Sequence, residues 1–513
     1  MFSRVCGAMV EGIEARPISV EVRRSRGLPG TDIVGLARGA AKESVIRVRA
    51  VLNALGLSLG AERLIVNFLP ADLPKEASAL DLPLAMALLC AGGYFSPESL
   101  AHCRFFAELS LSGQLQPVRG AILAADLAAE QGDKALYVAA ASAPEAAMVP
   151  GIKTFGIGHI DELLAHLKGE LNISASVARV TSKPNASPCL SEVYGQRHVK
   201  RSLEIAAAGA HNLLLIGPPG SGKSMLAKRL PGILPPLSVH EKIAVSRIHS
   251  LIKPPGSCLN SIERPFRAPH HSASEVAICG GGGTPKPGEI SLAHHGVLFM
   301  DEMPEFNRRA LESLREPLEE GSIHVARARM SLEFPARFLF VGAMNPCPCG
   351  WYRGELLGSQ GDGKKGSCLC SYEQILRYRA RLSGPLLERI DMHVFVDTLP
   401  YKEYFKADGG ATSGVVQQRV LAARIMQKER QGDGQINARL CSMALQRILH
   451  GDLKLRKWFE GVMEKERLSA RVIEKVLRLA RTIADLDESC TVQLKHAQEA
   501  LGFRLLDRSV FRS

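Results

Sequence analysis

The sequence predicts an α/β protein: a central parallel-sheet core, preceded by a separate α/β domain and followed by a helical one. Three observations carry this reading. An apolar run empties into a glycine-rich turn at 211–224, two further apolar runs end in polar residues at 296–302 and 338–345, and helical periodicity continues almost unbroken over 415–506. At 513 residues the chain exceeds what one core can organise, so about two to four domains are expected.

Taken in order, residues 1–168 mix strand-like runs (18–22, 63–68, 105–111, 135–138) with helical stretches (37–55, 83–90, 121–131) and read as a self-contained α/β domain. Residues 169–190, with Ser174, Ser176, Ser182, Pro184, Ser187 and Pro188, have no periodicity and few large apolar residues; a linker is expected. Strands and helices alternate over 191–400, which predicts a parallel sheet. A second polar hinge spans 408–414, and 401–513 forms a helical lid domain in which Ser469 would cap a helix over 470–484. Neither repeats nor low-complexity tracts are evident.

The core carries the chemistry. Residues 211–224 read His-Asn-Leu-Leu-Leu-Ile-Gly-Pro-Pro-Gly-Ser-Gly-Lys-Ser, with the spacing of a P-loop and a strand (213–216) and helix (225–230) on either side. Gly217, Gly220 and Gly222 let the backbone turn tightly enough for its N–H groups to surround a phosphate. Pro218, Pro219 and Ser221 complete the loop, and the following helix adds the positive end of its dipole. Lys223 would reach the β- and γ-phosphates of ATP, while the Ser224 hydroxyl is left for Mg²⁺.

Residues 296–302, Gly-Val-Leu-Phe-Met-Asp-Glu, form a second buried strand ending in two acids. Asp301 can hold the Mg²⁺ shell, and Glu302 can orient or deprotonate the water that attacks the γ-phosphate. Alone such a strand end is usually structural; 77 residues after Ser224 in one domain, it reads as Walker B. The third run stops at Asn345, whose amide either positions the same water or caps the strand end. Arg389, within Ser-Gly-Pro-Leu-Leu-Glu-Arg-Ile-Asp at 383–391, is either a local salt-bridge partner or an arginine finger reaching a neighbouring subunit's nucleotide. Arg471, opening a lid helix, either touches the γ-phosphate or keeps that helix soluble.

Four of the 12 cysteines form two Cys-x-Cys pairs, Cys347/Cys349 and Cys368/Cys370, separated by 18 residues rich in Gly, Lys and Ser. Four thiolates can hold one Zn²⁺ tetrahedrally, so a zinc insert over 347–370 is expected, with free thiols as the alternative. Trp351, Tyr352, Arg353, Lys364 and Lys365 in this insert combine aromatics with positive charge, a composition that stacks on bases or is simply solvated.

Composition is that of ordinary globular protein, with 46% apolar and 23% charged residues. The longest apolar stretch, 82–95, is too short for a bilayer and is broken by two glycines, and 1–11 lacks a signal-peptide pattern; a cytoplasmic location is expected. The net charge of +12 is concentrated late, with 19 Lys or Arg against 12 Asp or Glu in 411–513. That bias suits a polyanion partner or a basic surface without one.

Together, 217–224, 264–271 (Arg-Pro-Phe-Arg-Ala-Pro-His-His), 287–293 (Pro-Gly-Glu-Ile-Ser-Leu-Ala), 296–302, 343–346 (Ala-Met-Asn-Pro) and 381–391 closely resemble the ComM/YifB family of magnesium-chelatase-like AAA+ ATPases, of the helix-2-insert branch. The N-terminal stretches 27–36 (Gly-Leu-Pro-Gly-Thr-Asp-Ile-Val-Gly-Leu) and 70–76 (Pro-Ala-Asp-Leu-Pro-Lys-Glu) match too. The resemblance implies an AAA+ P-loop core with helical lid and a ring, expected to be a hexamer, with ATP between subunits. Lys223, Asp301, Glu302 and Asn345 would act in cis, and Arg389 and Arg471 in trans. It further implies a DNA motor driving branch migration on single-stranded and branched intermediates of natural transformation. One departure is His294-His295-Gly296, where the family often has His-Asn-Gly; another is that some relatives lack the cysteine pairs.

Residues 74–79 with 108–113 resemble the proteolytic, ribosomal-S5-like domain of Lon proteases, with Ser78 near the nucleophile of that fold. A serine nucleophile needs a lysine base within reach, yet no lysine lies between Lys75 and Lys134, and Ile122 occupies the matching position. A non-catalytic scaffold is expected. Three function classes then compete: a nucleic-acid motor, with 264–290 and a hairpin at 321–335 bearing Arg327 and Arg329 in a pore; a protein remodeller, whose aromatic pore loop 277–288 lacks; and a metal-chelatase-type ATPase.

Overall fold

The computed structural model describes residues 2–26, 28, 30–34, 38–57, 63–70, 77–178, 188–255, 263–282, 285–327, 330–352, 368–398, 410–432, 434–504 and 506. Two compact units divide the chain: Met1–Lys183 with Ser238–Ile262, and Pro184–Leu237 with Glu263–Ser513.

The first unit is built on a seven-stranded sheet. Its strands are β1 (Phe2–Glu11), β2 (Glu14–Ser25), β3 (Gly30–Val34), β4 (Arg63–Leu69), β5 (Cys103–Phe106), β6 (Ala135–Ala139) and β7 (Lys153–Ile157), in the order β3-β4-β2-β1-β5-β6-β7. β1, β2 and β4 pair antiparallel, while β1, β5, β6 and β7 run parallel. Among the helices that accompany them are α1 (Arg38–Ala54), α2 (Asp81–Ala91), α3 (Ala121–Glu130) and α4 (Ile160–Leu167). All eleven residues of α2 are buried, as an apolar-all-round helix requires. Its one acid, Asp81, accepts from Leu109 N–H (3.2 Å) and lies 3.1 Å from Arg47 Nε; burial still pushes its carboxyl up to about 6.

Ser238–Ile262 packs with this first unit although its sequence lies within 191–400. The cause is visible in the helix Val239–Ser250. Ser238 and Glu241 form its capping box, Ile243 is buried in the cluster built by α3, and Arg247 grips Asp126 with two hydrogen bonds of 2.6 and 2.7 Å.

The second unit holds a five-stranded, all-parallel sheet. Strands β8 (Leu213–Ile216), β9 (Phe266–Arg267), β10 (Val297–Met300), β13 (Leu339–Met344) and β14 (Met392–Phe395) lie in the order β9-β10-β13-β8-β14, while β11 (Ser322–Arg327) and β12 (Met330–Pro335) form a separate hairpin. Every residue of β8, β10 and β13 is buried, the pattern of parallel strands covered on both faces. Its helices include α5 (Arg197–Gly209), α6 (Lys223–Ala227), α7 (Tyr372–Arg379), α8 (Gly384–Leu387) and a C-terminal group, α9 (Ser413–Gln431), α10 (Ser442–His450), α11 (Leu453–Glu466), α12 (Ala470–Leu486) and α13 (Leu494–Gly502). One apolar cluster runs from α5 through the sheet into α9–α13. α12 contributes Val472, Ile473, Val476, Leu477, Ala480, Ile483 and Ala484 to it, a helical-period stripe; Ser469 is its N-cap by backbone conformation, without a side-chain cap bond. No described helix is long and apolar enough to cross a membrane.

Candidate nucleotide and metal sites

In an open parallel sheet, ligands collect at the carboxyl ends of the strands, where the strand order reverses. Here β13 lies between β8 and β10, with Ile216 opposite Met344 and Met300 opposite Gly342. Extending each strand by one residue puts Gly217, Asp301 and Asn345 together at the carboxyl end of the sheet. Gly217 N–H still donates to Met344 O (3.1 Å), so the glycine-rich loop leaves the sheet against the end of β13, one residue before Asn345.

The loop's geometry depends on glycine at two points. A Cβ on Gly217 would lie 2.2 Å from Val396 O, so only a bare backbone passes there. Gly222 adopts φ 90°, a left-handed conformation that costs other residues, and caps α6. Lys223, the first residue of α6, is buried and donates to Gly217 O (2.7 Å), Pro218 O (2.9 Å) and Asn345 Oδ1 (3.2 Å). Burial pushes its ammonium below the ordinary range, opposed by Asp301 and Glu302. Ser224 Oγ donates to Asp301 Oδ2, and Asp301 Oδ1 accepts from Glu302 N–H at 3.0 Å. A hydroxyl and a carboxylate meeting at one point form a hard-oxygen pair of the kind Mg²⁺ takes.

Glu302 has φ 50°, a strained conformation for a non-glycine residue, of the sort that gathers at working sites. Its exposed carboxylate lies 3.6 Å from His271 Nδ1. His271 belongs to the 264–271 motif, but nothing in its spacing announces this pairing. His294 is buried and accepts Arg337 N–H (3.0 Å), an anchor for the turn before β10. His295 sits at φ 54°, a region where Asn and His are both enriched, which accounts for the interchange at this position.

Arg389 and Arg471 are held away from these groups within the chain. Arg389 pairs with Glu319 and donates to Pro385 O (2.9 Å), in a cleft that Glu275, Glu312 and His324 also line. Arg471 reaches Glu388 Oε2 (3.3 Å) from the first turn of α12, its side chain 74% exposed. Behind them Asp391 accepts Asn212 N–H (2.9 Å) and pairs with Lys475 (3.0 Å). Burial alone would push that carboxyl up; Lys475 and His211 outweigh it and hold it below its usual range.

The four cysteines converge. Sγ–Sγ distances are 3.3 Å (Cys347–Cys349), 3.5 Å (Cys349–Cys368) and 3.6 Å (Cys347–Cys368), and the four ligand atoms lie within 4.8 Å of one another. A tetrahedral Zn²⁺ with Zn–S of about 2.3 Å places sulfurs about 3.8 Å apart, so the set fits. Tyr352 N–H and Cys370 N–H point at Cys347 Sγ (3.3 Å) and Cys368 Sγ (3.4 Å), donors that stabilise thiolates. Arg353, Lys364 and Lys365 lie outside the described residues, as do Gly27, Lys75 and Arg329, and no side-chain position is described for Arg327.

Comparison with known proteins gives the same frame. The family model for the magnesium chelatase subunit ChlI matches residues 189–404, with companion models matching 20–142 (subunit ChlI of Mg-chelatase) and 410–504 (subunit ChlI C-terminal). An uncharacterized protein YifB of Salmonella typhimurium is 42% identical over 500 residues, covering 97% of this chain and 96% of its own length. Competence protein ComM of Haemophilus influenzae is 41% identical over 503 residues, with the same coverage.

Proposed function

The chain belongs to the ComM/YifB family of magnesium-chelatase-like AAA+ ATPases, which use ATP and Mg²⁺, and on that premise we propose that it is a ring-forming DNA motor that drives branch migration of recombination intermediates in natural transformation. One observation carries the enzymatic part: Lys223 is hydrogen-bonded to Asn345, and its neighbour Ser224 to Asp301, at the carboxyl ends of adjacent parallel strands. Lys223 would bind the β- and γ-phosphates, Gly217–Ser224 would cradle them, and Glu302 would hold and deprotonate the attacking water, aligned by Asn345. Ser224 and Asp301 would hold Mg²⁺, which supplies neutralising charge between the phosphates.

Arg389 and Arg471 would serve the ring in trans. Both guanidinium groups pair with glutamates of their own chain, Glu319 and Glu388, so reaching a neighbour's γ-phosphate would require those pairs to part. α9–α13 would then be the lid, carrying Arg471 with the nucleotide state, and a hexamer the assembly. The Cys₄ cluster would hold Zn²⁺ as a structural ion.

The DNA part rests on the relative named a competence protein, on the basic charge of 411–513, and on the β11–β12 hairpin, whose tip would face single-stranded and branched DNA in the pore. The first unit would be a Lon-like scaffold without peptidase activity: Ser78 lies in a short turn, while Ile122 is fully buried on α3. A cytoplasmic site of action goes with this reading. The test is ATP turnover by the purified chain with and without single-stranded DNA, alongside its mass in solution with a non-hydrolysable analogue. Stimulation by DNA together with a ring-sized species is expected; a monomer, or turnover indifferent to every nucleic acid, would overturn the proposal.

A further inference from the structure

The cysteine cluster is not an appendage of the ATP site; it is threaded into it. Asn345 directly follows β13, and Cys347 comes two residues later. At the other end, Cys370 immediately precedes Ser371, whose side chain and Gln374 form the capping box of α7. α7 then turns back to where the strand ended. The Tyr378 hydroxyl is hydrogen-bonded by the backbone of Asn345, and Arg379 Nε donates to Pro346 O (3.4 Å) while its guanidinium lies over the Tyr352 ring, 5.5 Å from the centroid. Asn345 is therefore held from both sides by elements that the two cysteine pairs begin and end.

The second contact is with the P-loop itself. Gly350 N–H donates to Cys347 O (3.0 Å), closing a tight turn in which Gly350 has φ 83°. A Cβ added there would stand 2.4 Å from Cδ of Pro219, so the turn rests directly on the phosphate-binding loop, with no room for a side chain.

We infer that the four-cysteine knuckle is a metal-dependent brace of the nucleotide site, in which a tetrahedral thiolate-bound divalent ion of the zinc class fixes the positions of Asn345 and Pro219. ATP handling then depends on the ion although no ligand cysteine meets the nucleotide. This rests on the zinc assignment above. Gly350 is a positioning residue: it allows contact between the knuckle and the loop, and Tyr378 and Arg379 pass the knuckle's position to Asn345. Displacing catalytic groups by about 1 Å is enough to cost about a hundredfold in rate, so the brace has leverage.

The experiment uses the full chain and three readouts: zinc content, affinity for a fluorescent ATP analogue, and ATP turnover. Gly350→Ala keeps all four thiolates and pushes a methyl group against Pro219. It should retain about one zinc per chain yet lose about 10- to 100-fold in turnover and bind the analogue more weakly. Chelation of the wild-type zinc should produce the same defect, and readdition of Zn²⁺ should reverse it, which separates the brace from a folding failure of the variant. Zinc present but nucleotide affinity and turnover unmoved by both treatments would overturn the coupling while leaving the metal site intact. Wild-type protein with no bound metal would overturn the zinc assignment and the brace with it.

Discussion

Replacing Lys223 with alanine tests the nucleotide site at its most constrained point. The ammonium is buried and spends its three protons on Gly217 O, Pro218 O and Asn345 Oδ1 at 2.7–3.2 Å. These contacts run from a charged ammonium to uncharged acceptors, and once the ammonium is removed the loop carbonyls left behind can be rehydrated from the exposed turn at Pro219 and Gly220. A phosphate chain has no such substitute. Hydrogen bonds to charged groups are worth about 1.5–3 kcal/mol each, so losing the two to the β- and γ-phosphates should cost at least about 3 kcal/mol, roughly a hundredfold in Kd. The assay is titration of the full chain with a fluorescent ATP analogue, with thermal unfolding to show that the variant is folded. A folded Lys223→Ala protein binding within about threefold of wild type would refute the assignment.

Glu302→Gln should bind ATP normally and lose about 10²- to 10⁴-fold in turnover, as removal of a general base does. Arg389→Ala should lose about 10³-fold, and mixing it with Glu302→Gln should restore part of the rate, because each variant supplies what the other's site lacks; a mixture as inactive as its components would place Arg389 elsewhere. DNA affinity should fall at least about tenfold between 50 and 200 mM salt if only a few phosphates are contacted, and a salt-independent constant would remove that idea. His211, fully buried and bonded to Thr482 (2.7 Å), has its pKa pushed down to about 4 by burial. The unfolded chain therefore takes up a proton that the native protein refuses, and stability is lost as pH falls from about 6.5 toward 4, by roughly 1 kcal/mol at pH 5.5. Denaturation midpoints at pH 7 and 5.5 should differ less in His211→Gln; an unchanged difference would contradict this.

Much of the core was legible in the sequence because its strands are apolar throughout and end at chemistry-bearing residues. β8 spans the expected 213–216, and β10 and β13 lie inside the expected 296–302 and 338–344. The helix expected over 225–230 instead runs Lys223–Ala227, since Pro231 forces a 3₁₀ turn at Leu230–Ile233. β1 carries no alternation signal because its inward positions include Ser3, which donates to Ala87 O (2.8 Å), and the bare Gly7. The expected strand at 105–111 is split into Cys103–Phe106 and Glu108–Leu109, where Leu109 N–H turns to the buried Asp81 carboxylate. The convergence of the four cysteines could be read from spacing alone. Contacts such as Lys223 with Asn345, His271 with Glu302 and Gly350 against Pro219 could not, because they join residues 122, 31 and 131 positions apart through sheet order that no local pattern encodes.

The central claim is that ATP cleavage in this site moves branched DNA. Its most direct test is a synthetic three-strand or four-way junction with labelled arms, incubated with the purified chain, ATP and Mg²⁺, beside the Glu302→Gln variant. The account predicts strand exchange that requires hydrolysable ATP and disappears in the variant. Junctions left intact by a protein that is hydrolysing ATP would contradict it.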